Sequence, residues 1–336
     1  MEKVQKVVVE ADFADQRLDN YLLRELKGVP RAKIYQIIRS GEVRVNGGRA
    51  KPSRRLIAGD LLRIPPIRES SAVQASVKID KNIIKTIIYE DKLKLVINKA
   101  PGVAVHGGSG VSFGVIEALR LVKPSDSLEL VHRLDRETSG CLLIAKRRSY
   151  LKQVHDGFRQ SGESTTGHLK QYLAVVEGRW PKRKVIVNSP IRKNQLKSGE
   201  RFSAVDIEGK ASRTLFEVLC QTEGYSLLLV TPETGRTHQI RVHCQYAGHA
   251  VAGDDRYGDK VGLQRLKDLG YRRMMLHALA LRLEVPESTG KRDFLAPVTG
   301  EMERFVGQVM AYDLHKLYKR LNPAWAERTE PPCEIE

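Results

Sequence analysis

Apolar positions recur at helical spacing twice near the start of the chain. Leu18, Tyr21, Leu22 and Leu26 share one face of residues 17–27, and Ile34, Ile37 and Ile38 share one face of residues 31–40, with Gly41 as a C-terminal stop. The period then drops to two. Val43-Arg44-Val45 predicts a strand, Asn46-Gly47 a tight turn because both residue types accept positive φ, and residues 61–64, after Gly59-Asp60, a second strand. The expected module is helix, helix, small sheet, closed by Pro65-Pro66. Residues 67–82 are polar and aperiodic, which reads as a linker.

Beyond the linker the pattern is that of a larger sheet. Strands are predicted at residues 86–89, 93–97, 141–145, 170–178, 213–219, 225–231 and 276–281, the second-last and third-last meeting around Glu223-Gly224. In the strand 170–178, Tyr172, Ala174 and Val176 fall on one face. Helices are predicted at 115–122 and 150–159, from within 234–243 to near Gly248, and around 303–321, with a turn at 253–258. The proline-bearing residues 323–336 read as a disordered tail, and no internal repeat is present. The domain expectation is therefore 1–66, linker 67–82, large domain 83–322 and tail 323–336.

Charge adds a partner to this picture. The 57 Lys and Arg outnumber the 40 Asp and Glu, a formal excess of +17 that suits a polyanion, nucleic acid first. Residues 17–64 hold 12 basic against 4 acidic side chains, net +8, nearly half the excess in a seventh of the chain. Arg31, Lys33, Arg39, Arg44, Arg49, Lys51, Arg54 and Arg55 are expected to share one accessible face there, a pattern that a solvated basic surface also satisfies. The apolar runs are too short to span a bilayer and the first residues carry no apolar leader, so a cytoplasmic location is expected. Cys141, Cys220, Cys244 and Cys333 lie far apart without a CxxC pair, which fits reduced thiols and neither a zinc ribbon nor a disulfide framework.

The candidate chemistry centres on His132-Arg133-Leu134-Asp135-Arg136, at the end of an apolar run. Arginines two before and one after Asp135 are expected to lower its pKa and keep it ionised, favouring a nucleophile or base over an acid. An ion-paired turn before the next strand uses the same residue types. A kinase catalytic loop is excluded: the order is His-Arg-Leu-Asp, with no GxGxxG and no Asp-Phe-Gly. The glycine-rich loop from His106 lacks the P-loop Lys-Ser/Thr and Rossmann spacing, and reads as an RNA-facing loop. His238 and His243 are five apart with no acidic residue between them, off the metal-binding spacing, so no metal site is expected. Tyr172, taken alone, is equally a core tyrosine.

Three separated segments then agree. Residues 132–140, 170–178 and 235–243 resemble, in order, the signature motifs of the RluA-type pseudouridine synthases. Arg17-Leu18-Asp19, residues 38–47 and Ala58-Gly59-Asp60 resemble the recurring residues of the alpha-L RNA-binding domain named after ribosomal small-subunit protein four. Within the synthase family, residues 26–30, 106–117 and 198–201 are similar to the branch acting on 23S ribosomal RNA. Asn98-Lys99-Ala100-Pro101-Gly102 departs from the relatives that place proline directly after the lysine.

The resemblance implies an α+β pseudouridine synthase fold, a bent and mainly antiparallel sheet with flanking helices, preceded by the small α/β RNA-binding domain. It implies isomerisation of uridine to pseudouridine by a flipped-base mechanism without cofactor or metal, on 23S rRNA or pre-50S particles, by a monomer. Asp135 would be the catalytic carboxylate, as nucleophile or as base for the 2′ proton. Tyr172 would wall the pocket and help remove the carbon 5 proton, and Arg241 would pair with Asp135. Arg133 would fill the gap left by the flipped uridine, while Ile240 and Leu276 would pack beside the base. Arg31, Lys33, Arg39, Arg44, Lys51, Arg54 and His106 are the further RNA-binding candidates. A synthase acting on tRNA or other rRNA uridines, and a non-catalytic ribosome-assembly protein, are the competing readings; the intact Asp135, Tyr172 and Arg241 argue against the second.

Overall fold

The computed structural model describes residues 4–321 apart from 27–28, 30, 68–80, 108–113, 161–167, 196–200, 284, 287–288 and 291–292. Most of the expected linker, most of the glycine-rich loop, Cys333 and the expected tail lie outside the described residues.

In chain order the elements are β1 (Gln5–Val8), α1 (Leu18–Glu25), α2 (Arg31–Arg39), β2 (Arg44–Val45), β3 (Leu61–Ile64), β4 (Ile87–Glu90), β5 (Lys94–Lys99) and α3 (Val115–Val122). They continue with β6 (Glu129–Leu130), β7 (Ser139–Ala145), α4 (Arg148–Gln160), β8 (Leu169–Glu177), β9 (Lys184–Asn188), β10 (Ile191–Gln195), β11 (Arg201–Val205), β12 (Arg213–Gln221) and β13 (Tyr225–Pro232). The remainder are α5 (Gln239–Tyr246), α6 (Lys260–Asp268), β14 (Leu276–Arg282), β15 (Asp293–Leu295), α7 (Glu301–Arg304) and α8 (Leu314–Leu321). Two compact units result: one of residues 1–85, 106–129 and 145–152, the other of 86–105, 130–144 and 153–336.

In the first unit, Leu18, Tyr21, Leu22 and Leu26 of the first helical segment meet Ile34, Ile37 and Ile38 of α2 and Val45, Leu62 and Ile64 of a three-stranded sheet ordered β1-β3-β2. Asn46 and Gly47 turn with φ of 50° and 78°, the double positive φ of a tight hairpin. Asn46 Nδ2 donates to buried Asp60, whose other oxygen accepts from Ile57 N–H. Arg17 clasps Asp19 through two hydrogen bonds, and Tyr35 donates a third. The recurring Arg-Leu-Asp and Ala-Gly-Asp triplets are thus hydrogen-bonding devices that tie helix and turns together.

The second unit is built on a ten-stranded sheet ordered β4-β5-β7-β14-β8-β13-β12-β9, with β15 on β14 and β6 on β7. The pair β7 and β14 is parallel, whereas β4–β5, β12–β13, β13–β8, β12–β9, β14–β8 and β14–β15 are antiparallel. Alternate residues of β8 serve two cores. Leu173 and Val175 pack with Phe305, Val306 and Leu317 of the C-terminal helices. Ala174 and Val176, with Tyr172 against them, pack with Ile240 and Cys244 of α5 and with Leu276.

The single helix expected around 303–321 is two: α7 runs into one widened turn at Phe305–Val309, helical backbone ends with Ala311 at φ 49°, and Asp313 accepts from His315 N–H at the start of α8. An N-cap aspartate interrupts what periodicity reads as continuous. β1, β9, β10, β11, β15 and α6 have no counterpart in the sequence reading; β10 and β11 form a separate polar hairpin without a one-faced apolar pattern.

Candidate active site

The strand register brings the candidate residues together. Ala278 of β14 lies opposite Gly140 of β7 on one side and Tyr172 of β8 on the other. A side chain at position 140 would force the backbone to shift: a Cβ there would lie 2.2 Å from Ala278 O, and φ is 108°. Glycine therefore lets β7 pass close to β14 immediately after the turn that carries Asp135.

That turn is braced from below. The Lys99 ammonium donates to the carbonyls of Ala100, Val103 and Arg136 at 2.8, 2.9 and 3.0 Å, and Arg136 Nε donates back to Gly102 O at 2.9 Å. Burial pulls the Lys99 pKa down to about 7, opposed by Glu137 and Asp135 and assisted by Arg273. On the strand side Arg273 donates to Ser139 Oγ, the Ser139 hydroxyl lies 2.8 Å from His277 Nδ1, and His277 Nε2 lies 2.9 Å from Ala296 O. Burial holds His277 neutral, with its pKa down at about 4. His132 accepts from Leu143 N–H at 3.1 Å, and burial drops its pKa to about 3.

Leu134 is buried, and Asp135 keeps 21% of its side chain exposed. The arginines beside Asp135 in sequence are not its partners. Arg133 and Arg136 are exposed, and Arg136 pairs with Glu137 at 3.6 Å. The positive charge at Asp135 comes instead from α5, where Arg241 Nη1 stands 3.5 Å from Asp135 Oδ2. Residues 133–136 lie in an irregular turn, where spacing along the chain does not fix which side chains meet, so proximity in sequence gives the wrong arginines and the Gly235 segment supplies the right one.

Arg241 is itself held. Its Nε and Nη2 donate to Asp254 at 2.6 and 2.7 Å, and Asp254 Oδ1 also accepts from the N–H groups of Arg256 and Tyr257. The guanidinium, 6% exposed, has its pKa raised against the effect of burial by Asp254 and Asp135. Gln239 ties the helix start to Thr214 and Arg213, and His243 lies 2.9 Å from Thr214 Oγ1 and 3.0 Å from Ser189 O. His238 diverges from His243 altogether: its Nδ1 is 2.9 Å from the Tyr257 hydroxyl and its Nε2 is 3.7 Å from Asp135. Sequence reading treats the two histidines only as a metal test and the 253–258 stretch only as a turn. The available signal for Asp254 and Tyr257 was an acid and an aromatic three apart in a glycine-flanked turn.

Tyr172 completes the cluster. Burial, then the charge of Asp135, raises its pKa, so its hydroxyl is a neutral phenol near the carboxylate. Ile240 and Leu276 are buried in the same apolar cluster. Of the basic module's candidates, Lys33, Arg39, Arg49, Lys51 and Arg55 are exposed, with Arg55 pairing with Asp15. Arg44 and Arg54 are half-buried, and Arg54 stands 3.5 Å from Asp60. The Arg31 side chain lies outside the described residues. His106 is half-buried in the first unit, its Nδ1 2.8 Å from Gly107 O.

Comparison with known proteins follows the same division. A family model described as RNA pseudouridylate synthase matches residues 93–246, and an S4 domain model matches residues 16–62. The protein named ribosomal large subunit pseudouridine synthase C of Pasteurella multocida is 48% identical over 309 residues, covering 90% of this chain and 93% of its own. Its Escherichia coli namesake is 48% identical over 308 residues, covering 90% and 92%. The solved structure of human RNA pseudouridylate synthase domain containing 1 aligns with a TM-score of 0.55 at 27% identity, over 73% of this chain and 95% of that one.

Proposed function

The chain belongs to the RNA pseudouridylate synthase family, and from that premise we propose that it converts uridines of 23S ribosomal RNA to pseudouridine. The names of its relatives point to the ribosomal large subunit, and the basic S4 domain suits a ribosomal RNA substrate. A ribosomal RNA substrate implies a reaction in the cytoplasm. Among the described residues no helix is long and apolar enough to cross a membrane.

The observation that carries the proposal is the convergence of Asp135, Arg241 and Tyr172 from β7's leading turn, α5 and β8. Uridine flips out of the RNA at a cost of a few kcal/mol, and exposed Arg133, beside Asp135 in the turn, fills the space it leaves. The Asp135 carboxylate then attacks ribose carbon 1′ or takes the 2′ proton as the bond to uracil nitrogen 1 breaks, the use to which glycosidases put a carboxylate nucleophile. Arg241 gives its two short hydrogen bonds to Asp254, so its longer contact steers Asp135 without quenching it. The freed uracil turns against Tyr172, Ile240 and Leu276, and its carbon 5 bonds to carbon 1′ as the Asp135–carbon 1′ ester breaks or, on the other route, as Asp135 returns the 2′ proton to carbon 2′, which leaves the carboxylate free again. The carbon 5 proton leaves by way of the Tyr172 oxygen, which as a neutral phenol takes it only while passing on its own proton. Nitrogen 1 ends protonated. Every atom of the product comes from the substrate, and no electrons are exchanged, so the reaction itself calls for no cofactor.

Lys33, Arg39, Arg49, Lys51 and Arg55 supply phosphate contacts that position the RNA. The test is to map pseudouridine in ribosomal and transfer RNA from cells with and without the gene. Loss of specific 23S sites supports the proposal. An unchanged 23S map with lost tRNA sites would move the substrate, and no change in either would remove the activity.

A further inference from the structure

His238 has no part in the steps above, yet it stands at the carboxylate. It is a non-glycine residue with φ 56°, directly ahead of α5. A β-carbon disfavours that backbone region, which persists where surrounding contacts over-determine it. Here the contacts are specific. The ring meets Tyr257 edge-on at 5.6 Å between centroids, with Nδ1 2.9 Å from the Tyr257 hydroxyl and Nε2 3.7 Å from Asp135 Oδ2.

The hydrogen positions follow from the chain of partners. Ser203 N–H donates to the Tyr257 oxygen at 3.1 Å. Tyr257 is 5% exposed, and the acceptor within reach of its own hydroxyl hydrogen, among the described residues, is His238 Nδ1. A buried hydroxyl hydrogen takes such an acceptor. Nδ1 is then the bare nitrogen and Nε2 carries the hydrogen, aimed at Asp135. Burial lowers the His238 pKa, with Arg241 and Arg256 adding to it and Asp135 and Asp254 opposing, which keeps the ring neutral. His238 Nε2 at 3.7 Å and Arg241 Nη1 at 3.5 Å approach the same oxygen of Asp135, Oδ2.

We infer that His238 is a positioning residue: the relay from Ser203 N–H through Tyr257 locks its tautomer, and with Arg241 it holds one oxygen of Asp135 so that the other faces the ribose of the flipped uridine. The inference rests on Asp135 being the reacting carboxylate. Contacts of 3.5 to 3.7 Å are longer than hydrogen bonds, and closing on the substrate shortens them. The role differs from proton transfer, since a neutral Nε2–H donor beside a carboxylate orients it without taking or giving charge.

Two measurements on the full-length protein test this. Two-bond proton–nitrogen NMR of histidine-labelled protein at neutral pH should show His238 as the neutral Nε2–H tautomer, and Tyr257→Phe should release it to a mixture. The Nδ1–H tautomer in the wild type would overturn the inference. In single-turnover assays on a 23S rRNA fragment, His238→Asn should slow isomerisation about a hundredfold and Tyr257→Phe at least about tenfold, with RNA affinity unchanged. Asparagine is chosen because it tolerates the left-handed backbone. A rate within about twofold of wild type, or a loss of affinity equal to the loss of rate, would overturn it. A wild-type enzyme that forms no pseudouridine would instead defeat the functional proposal, and this inference with it, while the tautomer spectrum would still report the relay.

Discussion

Asp135 is a partly exposed carboxylate whose cationic neighbour stands 3.5 Å away and is committed elsewhere by two shorter bonds. That arrangement leaves Asp135 without a short salt bridge, which suits the reacting role proposed for it. Asp135→Asn should abolish pseudouridine formation while RNA affinity stays within about 1 kcal/mol, because every basic side chain that meets phosphate is kept. Tritium release from carbon-5-labelled RNA together with filter binding checks both halves; turnover near the wild-type rate would remove Asp135 from the reaction. Asp254 is the reverse case, a carboxylate with structure as its task. Asp254→Asn leaves Arg241 buried without its counter-charge, and losing one member of a buried pair costs roughly 3 to 5 kcal/mol. Its thermal unfolding should fall well below that of Asp135→Asn, and equal unfolding of the two variants would contradict the division of roles.

At the scale of elements, the site depends on how closely β7 and β14 run in parallel. Gly140 sits where a Cβ would strike Ala278 O and where φ is 108°. Gly140→Ala should destabilise the protein by roughly 3 kcal/mol or more, from the disfavoured backbone together with the clash. Since the backbone must shift there, residual folded enzyme should be inactive. Full activity in soluble Gly140→Ala protein would show that the strand spacing is not what places Asp135. The helix α5 depends on different chemistry, as Gln239 and His243 spend polar atoms on β12 and Arg241 on Asp254. The 235–243 motif is thereby a set of anchors that bring one guanidinium to Asp135.

For the whole molecule, charge and protonation set the conditions of use. The exposed Lys33, Arg39, Arg49, Lys51 and Arg55 carry the proposed phosphate contacts. Replacing all five by alanine should shallow the slope of log K against log salt by roughly 0.7 to 0.9 for each phosphate no longer neutralised, with turnover on a short RNA at high concentration kept. An unchanged slope would make this face merely solvated. Acid should act on the second unit through His132 and His277, whose pKa values fall from 6.5 to about 3 and about 4 by burial. Below pH 6.5 the unfolded chain takes up protons that the folded chain refuses, so stability falls as pH falls toward 4, by about 1.4 kcal/mol per pH unit for each histidine. Calorimetry between pH 7 and 5 reads this directly, and a flat profile would mean that the rings are hydrated or paired in acid.

Periodicity located both helices of the first unit, because each buries one face at helical spacing, and runs of apolar, strand-forming residues located seven strands of the large sheet, several of them buried on both faces; the residue types of Asn46-Gly47 located the hairpin turn. Periodicity also put Tyr172 on the face shared with Ala174 and Val176. The resemblance of three separated motifs was enough to name Asp135, Tyr172 and Arg241 together. What residue order along the chain does not encode is which polar group turns toward which. Arg133 and Arg136 adjoin Asp135 in sequence and face solvent, while Arg241, over a hundred positions on, approaches its carboxylate. Asp254, His238 and Tyr257, in turns, and Lys99, at the end of β5, enter the site through contacts with segments far along the chain that share no local period with them. Only tertiary packing decides them, because hydrogen-bond direction and the passage of β7 beside β14 are set by burial of the surrounding sheet and not by any pattern within one segment.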